Sequence, residues 1–358
     1  MIRFRQGKVH AVIAERPGVT EIIVSTEGQK RKAINYNELT GPVAVGDSVV
    51  LNTTAVHLGL GTGGFDFVMA NFNNQAGDAG GAGHIMKLRY TPSQVKVLAA
   101  EEDQSPYGNT LKRCQSLAGI PVIIGTLHSM VGPSVATIKY LCPQLRIAYL
   151  MTDGAALPIA FSKLISELKQ KRLLEATITC GHAFGGDFEA VNAYSGLLVA
   201  RVAARADIIV AAMGPGIVGT GSTFGHSAVE QGELVNAVNI LGGKPIAIPR
   251  LGFSDTRSRH QGVSHHTLTA LGRVALTPAT IPIPNLEKER QAFIMRQLDD
   301  AGITRKHEVV FAEGEAVVDA LRHFELKVTT MGRGVDEERA FFLAAGAAAS
   351  LAVNMVQK

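Results

Sequence analysis

Tryptophan is absent from the chain, aromatic residues make up only 6% of it, and cysteine occurs three times. Cys114, Cys142 and Cys180 are odd in number, widely spaced and free of any C-x-x-C pair, which excludes a disulfide framework and a cysteine-built structural zinc site. A reducing cytoplasm is the expected compartment. An excess of either charge is also missing: 35 basic residues face 31 acidic ones, a net +4. That balance is too even to argue for nucleic acid, although it suits small anionic ligands. The N-terminal stretch MIRFRQGKVHAVIAERPG lacks the apolar core of a signal peptide. The longest apolar run, Phe341 to Val356, is broken by Gly346, Ser350 and Asn354, and at roughly 16 residues it is shorter than the ~20 that cross a bilayer. It reads as a buried helix whose small residues also suit packing against a second copy of the chain, and no membrane partner is expected.

What the chain has in quantity is apolar residues, 46%, and glycine, 38 of 358. That is the composition of a well-buried globular protein too long for one core. Residues 1–70 carry short alternating or β-branched runs (GKVHAVIAE, VTEIIVS, RKAINY, DSVVLNTTAVHLGL, FDFVMANF) punctuated by Pro17-Gly18, Glu27-Gly28, Gly41-Pro42 and Gly46-Asp47. This is the pattern of a small antiparallel barrel. Gln29 to Lys32 would sit at a hairpin tip, either as a basic finger for nucleic acid on an OB- or SH3-like barrel or as a solvated turn; no aromatic platform is interleaved with its charges. Residues 71–84, rich in Gly, Asn and Ala, read as a linker or loop, and Asp78 and His84 matter to function only if that loop closes over a site. From residue 85 to 358 the period changes. Short apolar strands (IMKLRY, IPVIIGT, LRIAYLM, EATITC, DIIVAAM, KPIAIPR, ATIPIP, HEVVFA, LKVTT) alternate with amphipathic helices, which predicts an α/β domain with a doubly wound, mostly parallel, Rossmann-like sheet.

In such a sheet ligands sit beyond the carboxyl ends of the strands. The polar, glycine-rich turns fall there: Leu127-His128-Ser129, Thr152-Asp153-Gly154, GHAFGGDFEAVN from Gly181, GPGIVGTGSTFGHS from Gly214, and SDTRSRHQGVSHH from Ser254. The last holds the most proton-transfer and anion-binding capacity. If it is extended, Arg257 and Arg259 turn both guanidinium forks to one face, suited to a phosphate or carboxylate. Ser264 is placed to cap a helix whose first turn holds His265 and His266, and adjacent helical side chains diverge by about 100°, so the two serve one centre poorly. His260 is then the simplest proton carrier of the stretch. His182 is its counterpart after the TITC strand, with Asp153, Asp187 or Glu189 as partner.

Gly214, Gly216 and Gly219 satisfy G-x-G-x-x-G directly after a strand. Residues 220–226 nevertheless intervene before a helix can start, and Arg250 stands where a dinucleotide site expects an acidic ribose contact, although it would suit a 2′-phosphate. Backbone N–H groups exposed at Gly214, Gly216, Gly219 and Gly221 suit an anion instead. Cys180 reads as a packing residue, Ser227 lacks the surroundings of a nucleophile elbow, and no H-x-x-x-H or H-E-x-x-H spacing points to a metal.

Taken together, HIMKLRYTP, MTDGAALP, GHAFGGDFEAVN, EQGE followed by NAVNILGGKP, and RSRHQGVSHHTLTALG resemble a bacterial family catalogued as domain of unknown function 3866, over nearly the whole chain. The resemblance implies a bacterial, cytoplasmic protein and brings no activity, cofactor or residue role with it. From the residues themselves, the leading expectation is an enzyme acting on a small anionic, phosphorylated or nucleotide-like substrate. The Gly214–Gly221 backbone with Arg257 and Arg259 would hold it, and His265 and His266 would line the same site. The alternatives are a ligand-sensing or nucleic-acid-associated module using the N-terminal barrel, and an NAD(P)-dependent oxidoreductase. No cofactor is assigned, and homo-oligomerisation stays open.

Overall fold

The computed structural model describes residues 1–61, 63–74 and 80–357, so Asp78 lies outside the described residues. They form two compact units, Met1–Val97 with Ala160–Ser166, and Leu98–Ile159 with Glu167–Lys358. In the first, β1 (Phe4–Arg16), β2 (Val19–Thr26), β3 (Gln29–Tyr36), β4 (Ser48–Asn52) and β5 (Asp66–Asn71) close into a barrel in the order β1-β2-β3-β5-β4. Only β3 and β5 run parallel. The register of β1 against β2 shifts at Val9/Ala11 and again at Val12/Ala14, and bulges of this kind bend the strand. Phe4 to Lys8 can therefore close the barrel on β4 while the rest of the strand stays on β2. Alternation places Val9, Ile22, Val24, Ala33, Val49, Leu51 and Val68 inside. Of the basic tip, Arg31 is turned back onto Asp66 (Nε–Oδ2 2.5 Å, Nη2–Oδ1 3.1 Å), while Lys30 and Lys32 face solvent. The IMKLRY segment does not join the parallel sheet. Its β6 (Ile85–Lys87) pairs with β7 (Val95–Val97) in a two-stranded antiparallel ribbon, because the chain turns back through Leu88 and Tyr90, both at positive φ.

The second unit is built on eight parallel strands: β8 (Pro121–Ile124), β9 (Ile147–Thr152), β10 (Ala176–Thr179), β11 (Phe188–Glu189), β12 (Ile208–Met213), β13 (Lys244–Ala247), β16 (Thr280–Pro284) and β17 (Glu308–Ala312). The Rossmann-like sheet read from the sequence is present. PVII, IAYLMT, ATIT and IIVAAM are buried at every position, as strands covered on both faces must be. The helices that matter below are α1 (Val131–Leu141), α2 (Ala193–Val202), α3 (Glu230–Ile240), α4 (His265–Thr269), α5 (Lys288–Asp300), α6 (Ala316–His323) and α7 (Arg339–Gln357). Helices α1, α6 and α7 pack together on the sheet, and α2 and α3 form a second group. Two details differ from the sequence reading. LKVTT forms no strand and contributes a single bridge, Thr330 to Arg333, while Phe188–Glu189, inside the turn read after TITC, adds an edge strand.

Helix α7 is longer than its apolar run suggests, and it is long and apolar enough to cross a membrane. Within the unit, however, every residue from Ala340 to Ala349 is buried, against α1, α6 and β16 among others. Its close approach uses two glycines, since a Cβ on Gly346 would stand 2.3 Å from the carbonyl oxygen of Gly314.

The strand order is β11-β10-β9-β12-β8-β13-β16-β17. The chain starts at β8, winds out to β11, returns to insert β12 beside β8, and then winds out to β17. Ligands of such sheets bind where this reversal opens a crevice beyond the carboxyl ends. Gln231, 1% exposed, closes the sheet end there by donating Nε2 to Ile124 O (2.8 Å) and Ile248 O (2.9 Å).

Candidate functional site

Beyond β13 the chain makes a hairpin before it enters a helix. Leu251–Gly252 (β14) pairs antiparallel with Gly262–Val263 (β15), and the loop between them carries Asp255, Arg257, Arg259 and His260. The base of the hairpin is fixed by Ser264 N–H donating to Arg250 O (2.9 Å) and Arg250 N–H donating to Thr267 Oγ1 (2.9 Å). Ser264 caps α4 by accepting from His266 N–H (3.3 Å), the role its position predicts. After five residues α4 widens into a π turn, Ala270–Val274. Lys306 Nζ donates to two carbonyls of this turn, Leu271 (3.2 Å) and Gly272 (3.0 Å), and to that of Ala275 just after it (2.8 Å). The extended form expected for residues 257–259 is not adopted. Ser258–His260 is a 3-10 turn, and Arg257 grips Asp255 with both arms (Nε–Oδ1 2.9 Å, Nη2–Oδ2 2.7 Å). Arg259 is exposed and makes no hydrogen bond or ion pair among the described residues.

Four histidines meet beside the hairpin. Ring centroids of His265 and His266 are 4.3 Å apart, His226 lies 4.3 Å from His266 and 5.3 Å from His265, and His260 stands 5.1 Å from His265 and 5.3 Å from His266. The two adjacent histidines, expected to diverge, instead lean together over His226. His226 is brought in by the glycine-rich loop after β12, which closes on itself through a Gly219–His226 bridge, Thr220 N–H to Gly225 O (2.7 Å) and Ser227 N–H to Val218 O (2.9 Å). A Cβ on Gly219 would stand 2.9 Å from His226 Cβ, so glycine at 219 lets the histidine in. Gly214 is pressed by Ala156 O in the same sense (2.6 Å), while Gly216 and Gly221 face open space. No helix follows the G-x-G-x-x-G directly; the first helical turn after β12 starts at Ser227.

Arg250, 7% exposed, sits beneath the cluster and donates Nη1 to His266 Nδ1 (3.0 Å). A guanidinium can only donate, so Nδ1 carries the lone pair and the proton of neutral His266 is on Nε2. Arg250 forms no ion pair among the described residues, and burial lowers its guanidinium to about 10. Asp255 and Glu338 lie with it around a cavity of about 10 Å³, room for one water. Both are already engaged. Asp255 holds Arg257 and lies 3.7 Å from Arg333, and Glu338 accepts from Arg333 Nε (3.0 Å) and Phe253 N–H (2.9 Å). Burial, reinforced by Arg250, holds His260 down to about 4 and His266 to about 2; burial, with His226 and Arg259 nearby, holds His265 to about 4. His260 Nδ1 lies 2.8 Å from Ser264 Oγ. His226 is 5% exposed, its pKa is lowered by burial, and neither ring nitrogen is hydrogen-bonded; the Thr223 backbone lies nearby without reaching hydrogen-bond geometry.

The remaining sequence candidates fall elsewhere. Asp153 Oδ2 accepts from His182 N–H (2.9 Å) at the ends of β9 and β10, a contact Gly181 permits because a Cβ there would overlap the carboxylate. Asp187 accepts from Thr177 N–H and Oγ1 (both 2.8 Å) and pairs with Lys169. Glu189 accepts from Thr179 Oγ1 (2.8 Å) and Gly185 N–H (2.7 Å). These two carboxylates pin the loop from Cys180 to Phe188. Sequence reasoning missed His226, Arg333, Glu338 and Glu230. Glu230 opens α3 with its carboxylate against Gly154, and burial, together with the Asp153 and Glu233 carboxylates, raises it to about 7.

No curated protein and no solved structure matches the chain. A family model does, over residues 32–349, a span that begins within β3 and takes in β4, β5, the whole parallel sheet and every residue of the histidine cluster. The chain belongs to that family, whose description is "Protein of unknown function (DUF3866)".

Proposed function

We propose that the chain is an enzyme acting on a small anionic, phosphorylated or nucleotide-like substrate, bound where the hairpin after β13 meets the turn before α3. The observation that carries this reading is Arg250, a guanidinium almost wholly buried, hydrogen-bonded to an imidazole and, among the described residues, paired with no carboxylate, since nearby Asp255 and Glu338 are engaged by Arg257 and Arg333. A buried charge left so is costly until a counter-ion completes it. Arg259, exposed and unengaged among the described residues, supplies a second cation at the rim, whereas Arg257 is committed to Asp255. The histidines supply the chemistry. Burial and the arginines keep them neutral, and an arriving anion favours the protonated form of His260, bringing it toward the range in which acid–base catalysis works best. His260 is the proton carrier in this reading. His182 with Asp153 is a separate pair at the neighbouring strand ends.

Thermal unfolding in the presence of inorganic phosphate, sugar phosphates and nucleotides tests it. A ligand at a hundred times its Kd adds about 2.7 kcal/mol of stability. At least one compound should stabilise the wild type, Arg259→Ala should weaken the response, and Arg250→Gln should remove it. A panel to which wild type and Arg250→Gln respond alike sinks the reading.

A further inference from the structure

We infer that His226, His265 and His266 bind one divalent transition-metal ion of the zinc class, leaving a coordination position for water or an anion. One ring nitrogen of each lies within 4.8 Å of the other two. Zinc–imidazole bonds of ~2.0–2.1 Å in a tetrahedral array hold their nitrogens ~3.4 Å apart, so the rings need draw in by little more than ~1 Å. The second observation is the state of His226. It is 5% exposed with neither ring nitrogen hydrogen-bonded, although polar groups at such depth almost always have a partner. His265 makes no hydrogen bond among the described residues either, and its described contacts are ring contacts and electrostatic ones. The rings therefore do not share protons with one another, and one nitrogen of each lies near enough to the other two to meet a common ion. Three imidazoles without a carboxylate select zinc, cobalt, nickel or copper over magnesium or calcium, and three protein ligands is the count of catalytic rather than structural zinc sites.

Arg250 gives the site its signature. Ligating histidines ordinarily donate their second nitrogen to an acceptor, but His266 Nδ1 here accepts from a guanidinium at 3.0 Å. Ion and guanidinium compete for one imidazole. Removing the guanidinium must tighten the ion, while removing a ligand must release it. The inference does not depend on the substrate reading, because the ion alone is the probe.

The full chain, stripped with a chelator, is titrated with Co²⁺, whose visible d–d absorption reports tetrahedral nitrogen coordination, and then with Zn²⁺ as competitor. One equivalent of Co²⁺ should bind with a tetrahedral spectrum and be displaced by Zn²⁺. Binding should disappear in His265→Ala and His226→Gln, strengthen in Arg250→Gln, and persist when the exposed barrel histidines His10 and His57 are changed to alanine. His265 is only partly buried, so its variant separates loss of a ligand from loss of the fold, and melting curves of each variant check this. Absence of stoichiometric binding in the wild type, or binding that survives His265→Ala, overturns the assignment. Intact cobalt binding beside a silent anion panel upholds this site and overturns only the substrate reading.

Discussion

Burial works against the charged form of both Arg250 and Glu230, and each therefore makes a stability prediction. Burial lowers the Arg250 guanidinium to about 10 and gives it an imidazole instead of a carboxylate. Replacing such a group with an apolar residue of similar length is commonly neutral or stabilising. Arg250→Met should leave the unliganded protein as stable as wild type or more so, by up to about 2 kcal/mol, while abolishing the anion response. A loss of more than about 2 kcal/mol in chemical denaturation would show that Arg250 is structural. Glu230 is raised from 4.5 to about 7 by burial and by its carboxylate neighbours. Between those two values the folded state holds a proton that the unfolded state has released, so stability falls as pH rises from 4.5 to 7 and then levels. The loss is at most about 3 kcal/mol. Glu230→Gln should remove that slope, so the variant's advantage over wild type should be greater at pH 8 than at pH 4.5; equal differences at both pH values would refute the shift.

At the scale of elements, the site depends on how α3 meets the π turn. A Cβ on Gly232 would stand 2.3 Å from Ala270 O and 2.8 Å from Ala275 N, both backbone atoms. Gly232→Ala should therefore cost about 1–3 kcal/mol through overpacking and weaken cobalt binding with it; an unchanged melting temperature would show that the crossing yields. Gly219→Val acts from the other side, displacing His226 without touching the remaining histidines. These crossings also explain what could be read in advance. The buried strands announce themselves because each is apolar at every position, and Ser264 announces its cap because capping is a local rule. The histidine cluster does not. His226 and His266 come from segments with three strands between them, and Glu338 reaches the hairpin from the start of α7, so no periodicity or spacing records the meeting. LKVTT misled for a related reason: β-branched residues describe a strand's fit to a pleated surface, not the presence of a neighbour to pair with.

Over the whole molecule, α7 is the one helix among the described residues that is long and apolar enough to cross a membrane, and it ties α1, α6 and β16 together. Its contact with Gly314 leaves no room for a side chain at 346. Gly346→Val should destabilise the second unit by about 2 kcal/mol or more and expose an apolar face that binds a hydrophobic dye. If the helix instead served a membrane, the same substitution would leave the melting temperature of the purified protein unmoved.

The π turn that follows α4 has a consequence that concerns chain length. Such a turn accommodates one residue more than an α-helix over the same rise, and Lys306 is already committed to its surplus carbonyls. Deleting Gly272 would restore regular helical bonding, strand the ammonium without its acceptors, and rotate the preceding histidines relative to everything that follows. Substitutions along 265–275 can be absorbed by repacking, but a relative of this chain that keeps the histidine cluster should keep the number of residues in that span as well.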